Sequence, residues 1–151
     1  QIVEVVQERD RQRRLLDLLR KYHSSRTNRV IVFVLYKKEA ARIEEFLQRN
    51  GWRCVSVHGD KSQADRDRAV NEFSDGTCSL LVATDVATRG LDIADVEYVI
   101  NFSFPLTIED YIHRIGRTGR AGKTGIAHTF FHDGDKARAG ELVNHAATGG
   151  S

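Results

Sequence analysis

The sequence predicts an α/β fold, a parallel sheet with helices on both faces, from three features. Apolar β-rich runs alternate with segments of helical period along the chain, the pattern of strand–crossover–strand units. Arg29–Leu35 (RVIVFVL) is almost continuously apolar, as a strand covered on both faces must be. Polar loops follow the predicted strand ends at Tyr36-Lys37-Lys38, His58-Gly59-Asp60, Thr84–Gly90 and Tyr111–Arg120. In open parallel sheets, ligands gather beyond those carboxyl ends.

Each element has its own reason. Ile2–Val6 reads as a strand, and Asp10–Tyr22 as a helix with Leu15, Leu16, Leu18 and Leu19 on its apolar face. Lys37–Asn50 puts Ala40, Ala41, Ile43, Phe46 and Leu47 on one side, and Gly51 is placed to end that helix. Arg53–Val57 is a strand, and Ser62–Phe73 a helix with Ser62 as its N-cap. Ser79–Ala83 is a strand followed by a long polar turn through Gly90, and Val96–Phe102 is a strand closed by Pro105. Thr107–Arg114 is a helix in which Thr107 and Asp110 make a capping pattern. Gly125–Phe131 is the last strand and Asp135–His145 the last helix.

The length of 151 residues fits one domain, assigned to 1–147, with 148–151 set apart as a terminal remnant. Net charge is only +2, from 23 basic and 21 acidic residues, so any basic surface must come from clustering rather than excess. The chain lacks an initiator Met and opens inside a predicted strand, and so reads as a piece of something longer. No apolar run reaches membrane-spanning length and no signal peptide is visible. The expectation is a soluble intracellular monomer, nuclear, nucleolar or cytoplasmic, with no membrane partner. Cys54 and Cys78 belong to no CxxC or Cys/His cluster; they are expected as reduced, buried thiols, and no metal site is expected.

The most informative segment is Tyr111–Arg120 (YIHRIGRTGR). Arg114, Arg117 and Arg120 recur every third position, and no acid interrupts the chain from Tyr111 to Gly125. Guanidinium forks are permanently charged and bind phosphate oxygens bidentately. Gly116 and Gly119 would let backbone approach a ligand closely. Gly122-Lys123-Thr124 suggests a P-loop, but the required earlier glycine would stand at position 117, which is Arg, and the preceding segment reads as helix rather than strand. The segment therefore supplies phosphate-facing arginines without a phosphate cradle. A stand-alone RNA-binding module without catalytic duty is the alternative reading.

In this order, Val30–Phe33 (VIVF), Val57–Arg66 (VHGDKSQADR), Leu81–Ile93 (LVATDVATRGLDI), Tyr98–Pro105 (YVINFSFP) and Tyr111–Arg120 resemble the C-terminal RecA-like lobe of DEAD-box ATP-dependent RNA helicases. The resemblance implies a RecA-like sheet whose partner is a first RecA-like lobe in the same chain. It implies ATP at the interlobe cleft, with Mg²⁺ held mainly by that first lobe, and RNA gripped through its backbone without sequence readout. Arg117 and Arg120 would be arginine fingers on the γ-phosphate, Arg114 would order the motif, and His113 would couple to the partner lobe. Asp92 would contact the ribose, with Gly90 beside it. Gly59, Asp60, Gln63, Arg66, Thr84, Asp85 and Arg89 would contact RNA or support the loops that do. This lobe alone would be inactive. One stretch departs from the pattern: Leu35-Tyr36 stands where many members carry a small polar residue and Thr, so the resemblance carries no RNA contact to those two positions. The wording Leu35–Ala40 (LYKKEA) is similar to the ribosome-assembly branch of the family.

Overall fold

The computed structural model describes residues 1–89, 91, 93, 96–117 and 125–136. Among these residues, six strands form one sheet: β1 (Ile2–Val5), β2 (Val30–Val34), β3 (Val55–Val57), β4 (Leu80–Thr84), β5 (Tyr98–Asn101) and β6 (Ile126–Phe131). Their order is β1-β6-β5-β2-β4-β3, and every neighbouring pair is parallel. The helices are α1 (Arg11–Tyr22), α2 (Lys37–Arg49), α3 (Gln63–Ser74), the four-residue turn α4 (Asp85–Thr88) and α5 (Ile108–Ile115). A 3-10 turn spans Asp133–Asp135, and residues 137–145 of the expected helix Asp135–His145 lie outside the described residues, as does the terminal remnant.

The period of two along β2 builds two cores. Val30, Val32 and Val34 face α1 and α2, joining Leu15, Leu19, Ile43 and Leu47. Ile31 and Phe33 point the other way, joining Ala69 and Phe73 of α3. All five β2 residues are fully buried, which is why the run carries no polar position. Burial of each such side chain stabilises by about 1.5–3 kcal/mol.

The element ends follow local chemistry. Ser62 Oγ accepts from the Asp65 backbone N–H at 3.1 Å, and Thr107 Oγ1 accepts from the Asp110 N–H at 3.0 Å; both predicted caps form. Gly51 takes φ +84° after α2, a conformation costly for any other residue. The predicted polar turn after β4 instead coils immediately into α4. Its Asp85, Ala87 and Thr88 are buried while Val86 is exposed, so this segment belongs half to the core. Cys54 and Cys78 are buried free thiols.

Register places the site. Val34 pairs with Thr84, and Val57 with Ala83, so β2, β3 and β4 end together at one rim. On the other side of β2, Phe33 pairs with Asn101, which starts the run leading to α5. No helix among the described residues is long and apolar enough to cross a membrane.

Candidate functional site

Two clusters occupy the carboxyl rim of the sheet, and α4 lies between them. The first is built on α5, whose inner face buries Asp110, Tyr111 and Arg114. Arg114 has no exposed surface. Its Nε donates to Asp85 Oδ1 at 2.7 Å and its Nη2 to Asp85 Oδ2 at 2.8 Å. Nη1 donates to the Ser103 carbonyl at 2.6 Å and to Asn101 Oδ1 at 3.3 Å. The guanidinium carbon lies 5.2 Å from the centre of the Phe33 ring. A buried cation needs this degree of satisfaction, since taking it out of water costs several kcal/mol. Arg114 thus ties α5 to α4 and to the end of β5.

Arg117 also faces inward. Its Nη1 donates to the carbonyls of Leu91 and Ile93, both at 3.1 Å, and its Nη2 donates to His113 Nε2. A guanidinium can only donate, so Nε2 must accept and the His113 proton sits on Nδ1. Burial, and then the neighbouring Arg117 charge, hold the His113 pKa below its ordinary value, consistent with a neutral ring. The carbonyls gripped by Arg117 flank Asp92 in sequence. Asp92 itself, Gly90 and Arg120 lie outside the described residues. Gly116 caps α5 with φ −64°, and a Cβ there would come within 3.2 Å of the Ile112 carbonyl. That glycine serves the end of its own helix rather than an open approach for ligand.

The second cluster is an open groove of about 680 Å³ over the ends of β2, β3 and β4. Gly59, Arg66 and Thr84, drawn from three separate segments, all line it. Gln63 sits behind Arg66, with its Oε1 accepting from Arg66 Nη2 at 3.1 Å and its Nε2 donating to Asp67 at 2.9 Å. Asp60 pairs with Lys37 at 3.0 Å, and its backbone N–H donates to His58 Nδ1 at 3.3 Å. Burial holds the His58 pKa below its ordinary value.

Two residues expected at the RNA do not reach this groove. Both Asp85 oxygens are occupied by Arg114, so its carboxylate orders the arginine segment. Arg89 donates to Asp110 Oδ1 at 2.8 Å, on the α5 side, and this bond is the main reason its pKa is raised. Tyr36, Lys37 and Lys38 of one predicted rim loop and Val86 of another also line the groove, with Leu35 and with Arg42, which sequence reasoning passed over. A signal was present: Lys38 and Arg42 stand four apart on α2, hence on one face, directly after a strand end. The loop before α2 is held from below. Glu39 Oε1 accepts from the Leu35 N–H at 3.2 Å and from Ser103 Oγ at 2.5 Å, and Glu39 Oε2 accepts from Arg11 Nη2 at 3.4 Å.

The family described as "Helicase conserved C-terminal domain" matches residues 10–122. The chain is 65% identical over 144 residues to "DEAD-box ATP-dependent RNA helicase 5" of Oryza sativa subsp. japonica, covering 95% of this chain and 28% of that protein. It is 59% identical over 146 residues to "ATP-dependent RNA helicase DBP3" of Saccharomyces cerevisiae, again covering 28% of the relative. The chain therefore spans under a third of the length of these curated relatives. Among solved structures, E. coli DEAD-box protein SrmB bound to regulator of ribonuclease activity A superposes with a TM-score of 0.83 at 33% identity, covering 93% of this chain and 81% of that one. The RNA-helicase Prp28 from Chaetomium thermophilum, bound to ADP, superposes with a TM-score of 0.86 at 37% identity, covering 97% of this chain and 36% of that one. With an all-parallel RecA-like sheet and the arginine segment clasped at its rim, the chain belongs to the helicase conserved C-terminal domain family and is the C-terminal lobe of a DEAD-box protein.

Proposed function

We propose that this chain is the second lobe of an ATP-dependent RNA helicase, holding RNA in the β2–β4 groove and presenting arginines to ATP held mainly by a first lobe. The observation that carries this reading is the Asp85–Arg114 clasp. Its α4 turn is shared: Asp85 holds the arginine segment, while Val86 and Ala87 line the groove. A turn that touches both sites supports a link between occupation of the groove and placement of the arginines, as coupling between two ligands requires.

ATP with Mg²⁺ supplies the phosphoryl group whose hydrolysis resets the cycle. The residues of this chain that fit it are Arg117 and Arg120 as permanent cations, Asp92 as an acceptor for ribose hydroxyls, and Gly90 beside it. Since Arg117 holds the Leu91 and Ile93 carbonyls here, its finger role requires release of those bonds as the lobes close. Meanwhile Lys37, Lys38, Arg42 and Arg66 meet RNA phosphates, and the hydroxyl of Thr84 hydrogen-bonds the backbone. Backbone contacts carry no sequence information, so the grip would be sequence-independent. A strand bent across two lobes cannot stay paired, so closure would separate short duplexes. The similarity of Leu35–Ala40 supports ribosome assembly as the pathway, in nucleus, nucleolus or cytoplasm, by a monomer.

In the intact protein, Arg120→Ala is expected to lower RNA-stimulated ATPase by about 10³–10⁵ while RNA affinity stays within a fewfold. Arg120 is the cleaner position, because Arg117→Ala also removes the carbonyl bonds. Adding the first lobe in trans should restore RNA-dependent hydrolysis to this chain. Unchanged turnover in Arg120→Ala would remove Arg120 from the finger role, and no hydrolysis on adding the first lobe would leave the non-catalytic RNA-binding module as the reading.

A further inference from the structure

The geometry points to Tyr36 as a base-stacking platform: within the groove this lobe would take one nucleobase of single-stranded RNA against the Tyr36 ring, beside its phosphate contacts. The inference rests on the groove being the RNA site and adds base contact to a backbone grip. Tyr36 is 62% exposed and Val86 is 79% exposed, and both line the groove. Register brings them together. Val34 and Thr84 are partners across adjacent parallel strands, and Tyr36 and Val86 each stand two residues beyond that pair.

Tyr36 is held in place, and its exposure does not come from a loose loop. It is the extended N-cap of α2, its carbonyl accepts from the Ala40 N–H at 3.0 Å, and the preceding Leu35 N–H is fixed on Glu39. Glu39 is anchored in turn by Arg11 and Ser103. A rigid loop therefore directs a large aromatic face to solvent. Isolated exposed apolar residues are ordinary, but here two share one concave site rimmed by Lys37, Lys38, Arg42 and Arg66. An aromatic face amid cations, of which Lys37 already pairs with Asp60, matches a polyanion with flat apolar bases better than it matches a purely apolar partner. Every base has a π-face, so stacking adds affinity without choosing a sequence.

The test uses the intact protein, its Tyr36→Ala, Tyr36→Phe and Arg66→Ala variants, single-stranded oligoadenylate, and an abasic oligonucleotide of equal length. Tyr36→Ala should weaken oligoadenylate binding by about 5- to 100-fold, the range for one lost base stack, and leave abasic binding unchanged. Tyr36→Phe should bind both as wild type does, and should quench 2-aminopurine placed in the strand where Tyr36→Ala does not. Arg66→Ala should weaken both oligonucleotides alike. If Tyr36→Ala lowers binding to both equally, the residue touches backbone and the stacking proposal is overturned, as it is if neither changes. If Arg66→Ala also leaves binding untouched, the groove reading falls with it. Because Tyr36 is exposed, an unchanged unfolding temperature in each variant keeps these outcomes separate from misfolding.

Discussion

Arg114 and Asp85 form a two-pronged ion pair, 2.7 and 2.8 Å, sealed beneath the carboxyl rim of the sheet. Breaking a buried pair by removing one partner leaves an uncompensated charge and costs about 3–5 kcal/mol. Asp85→Ala and Arg114→Ala should each lower the unfolding free energy by about that amount. The double variant should cost clearly less than the sum of the singles, a coupling that urea denaturation in a double-mutant cycle measures. Arg114→Lys should also destabilise, because an ammonium cannot span both oxygens and still reach the Ser103 carbonyl. Additive single losses would show that the two side chains do not act as a pair.

Arg66 lines the groove but contributes one charge among several, so its loss should act through salt. Arg66→Ala should weaken single-stranded RNA binding uniformly across sequences. It should also reduce the slope of log affinity against log salt by about 0.7, the value for one phosphate contact to a single strand. Titrations at several salt concentrations check this. An unchanged slope would remove Arg66 from phosphate contact.

How much of this was legible beforehand divides along sequence separation. β2 and the Leu80–Ala83 part of β4 are visible because burial on both faces keeps them apolar, and the caps at Ser62 and Thr107 because their partners lie three residues away. The arginine segment was visible as a charge pattern, yet its geometry was not. Arg114 meets Asp85 across 29 residues and Arg117 meets Leu91 across 26, separations at which no local period reports contact. The same gap hid the partner of Asp85, since a strand-end acid looks alike whether it faces solvent or a buried guanidinium. Arg42 on α2 was passed over because the helix was judged by its apolar face.

Cys54 is 5% exposed, and burial pushes its thiol up to about 12. Since only the thiolate attacks, the native protein at mildly alkaline pH should react with a thiol reagent orders of magnitude more slowly than the protein in denaturant. Stopped-flow or mass-spectrometric labelling gives the two rates. Comparable rates would mean that the α2–β3 corner opens readily.

The edge strand β1 should make stability acid-sensitive through His128. The ring is 5% exposed on β6. Its Nε2 lies 2.7 Å from Glu4 Oε1 of β1 and its Nδ1 lies 3.0 Å from the Tyr22 hydroxyl of α1. A carboxylate only accepts, so Nε2 carries the proton and Nδ1 accepts from Tyr22. Arg14 binds the same carboxylate at 2.5 and 2.9 Å. Burial is the largest influence on His128 and lowers its pKa; the Glu4 bond opposes this, and Arg14 and Lys21 add to the lowering. Because the folded-state value lies below the unfolded one, the unfolded chain binds the proton more readily. The His128 contribution to stability should be constant above the ordinary histidine value of 6.5 and should fall as pH drops below it. Glu4, its pKa lowered first of all by the Arg14 bond, adds a further loss below its ordinary value of 4.5. Replacing the ring by His128→Gln keeps a donor and an acceptor but cannot titrate. That variant should be less stable at neutral pH, yet lose less of its stability between pH of about 7 and about 5. Thermal melts across that window decide it, because an equal acid loss in both proteins would place the titrating group elsewhere.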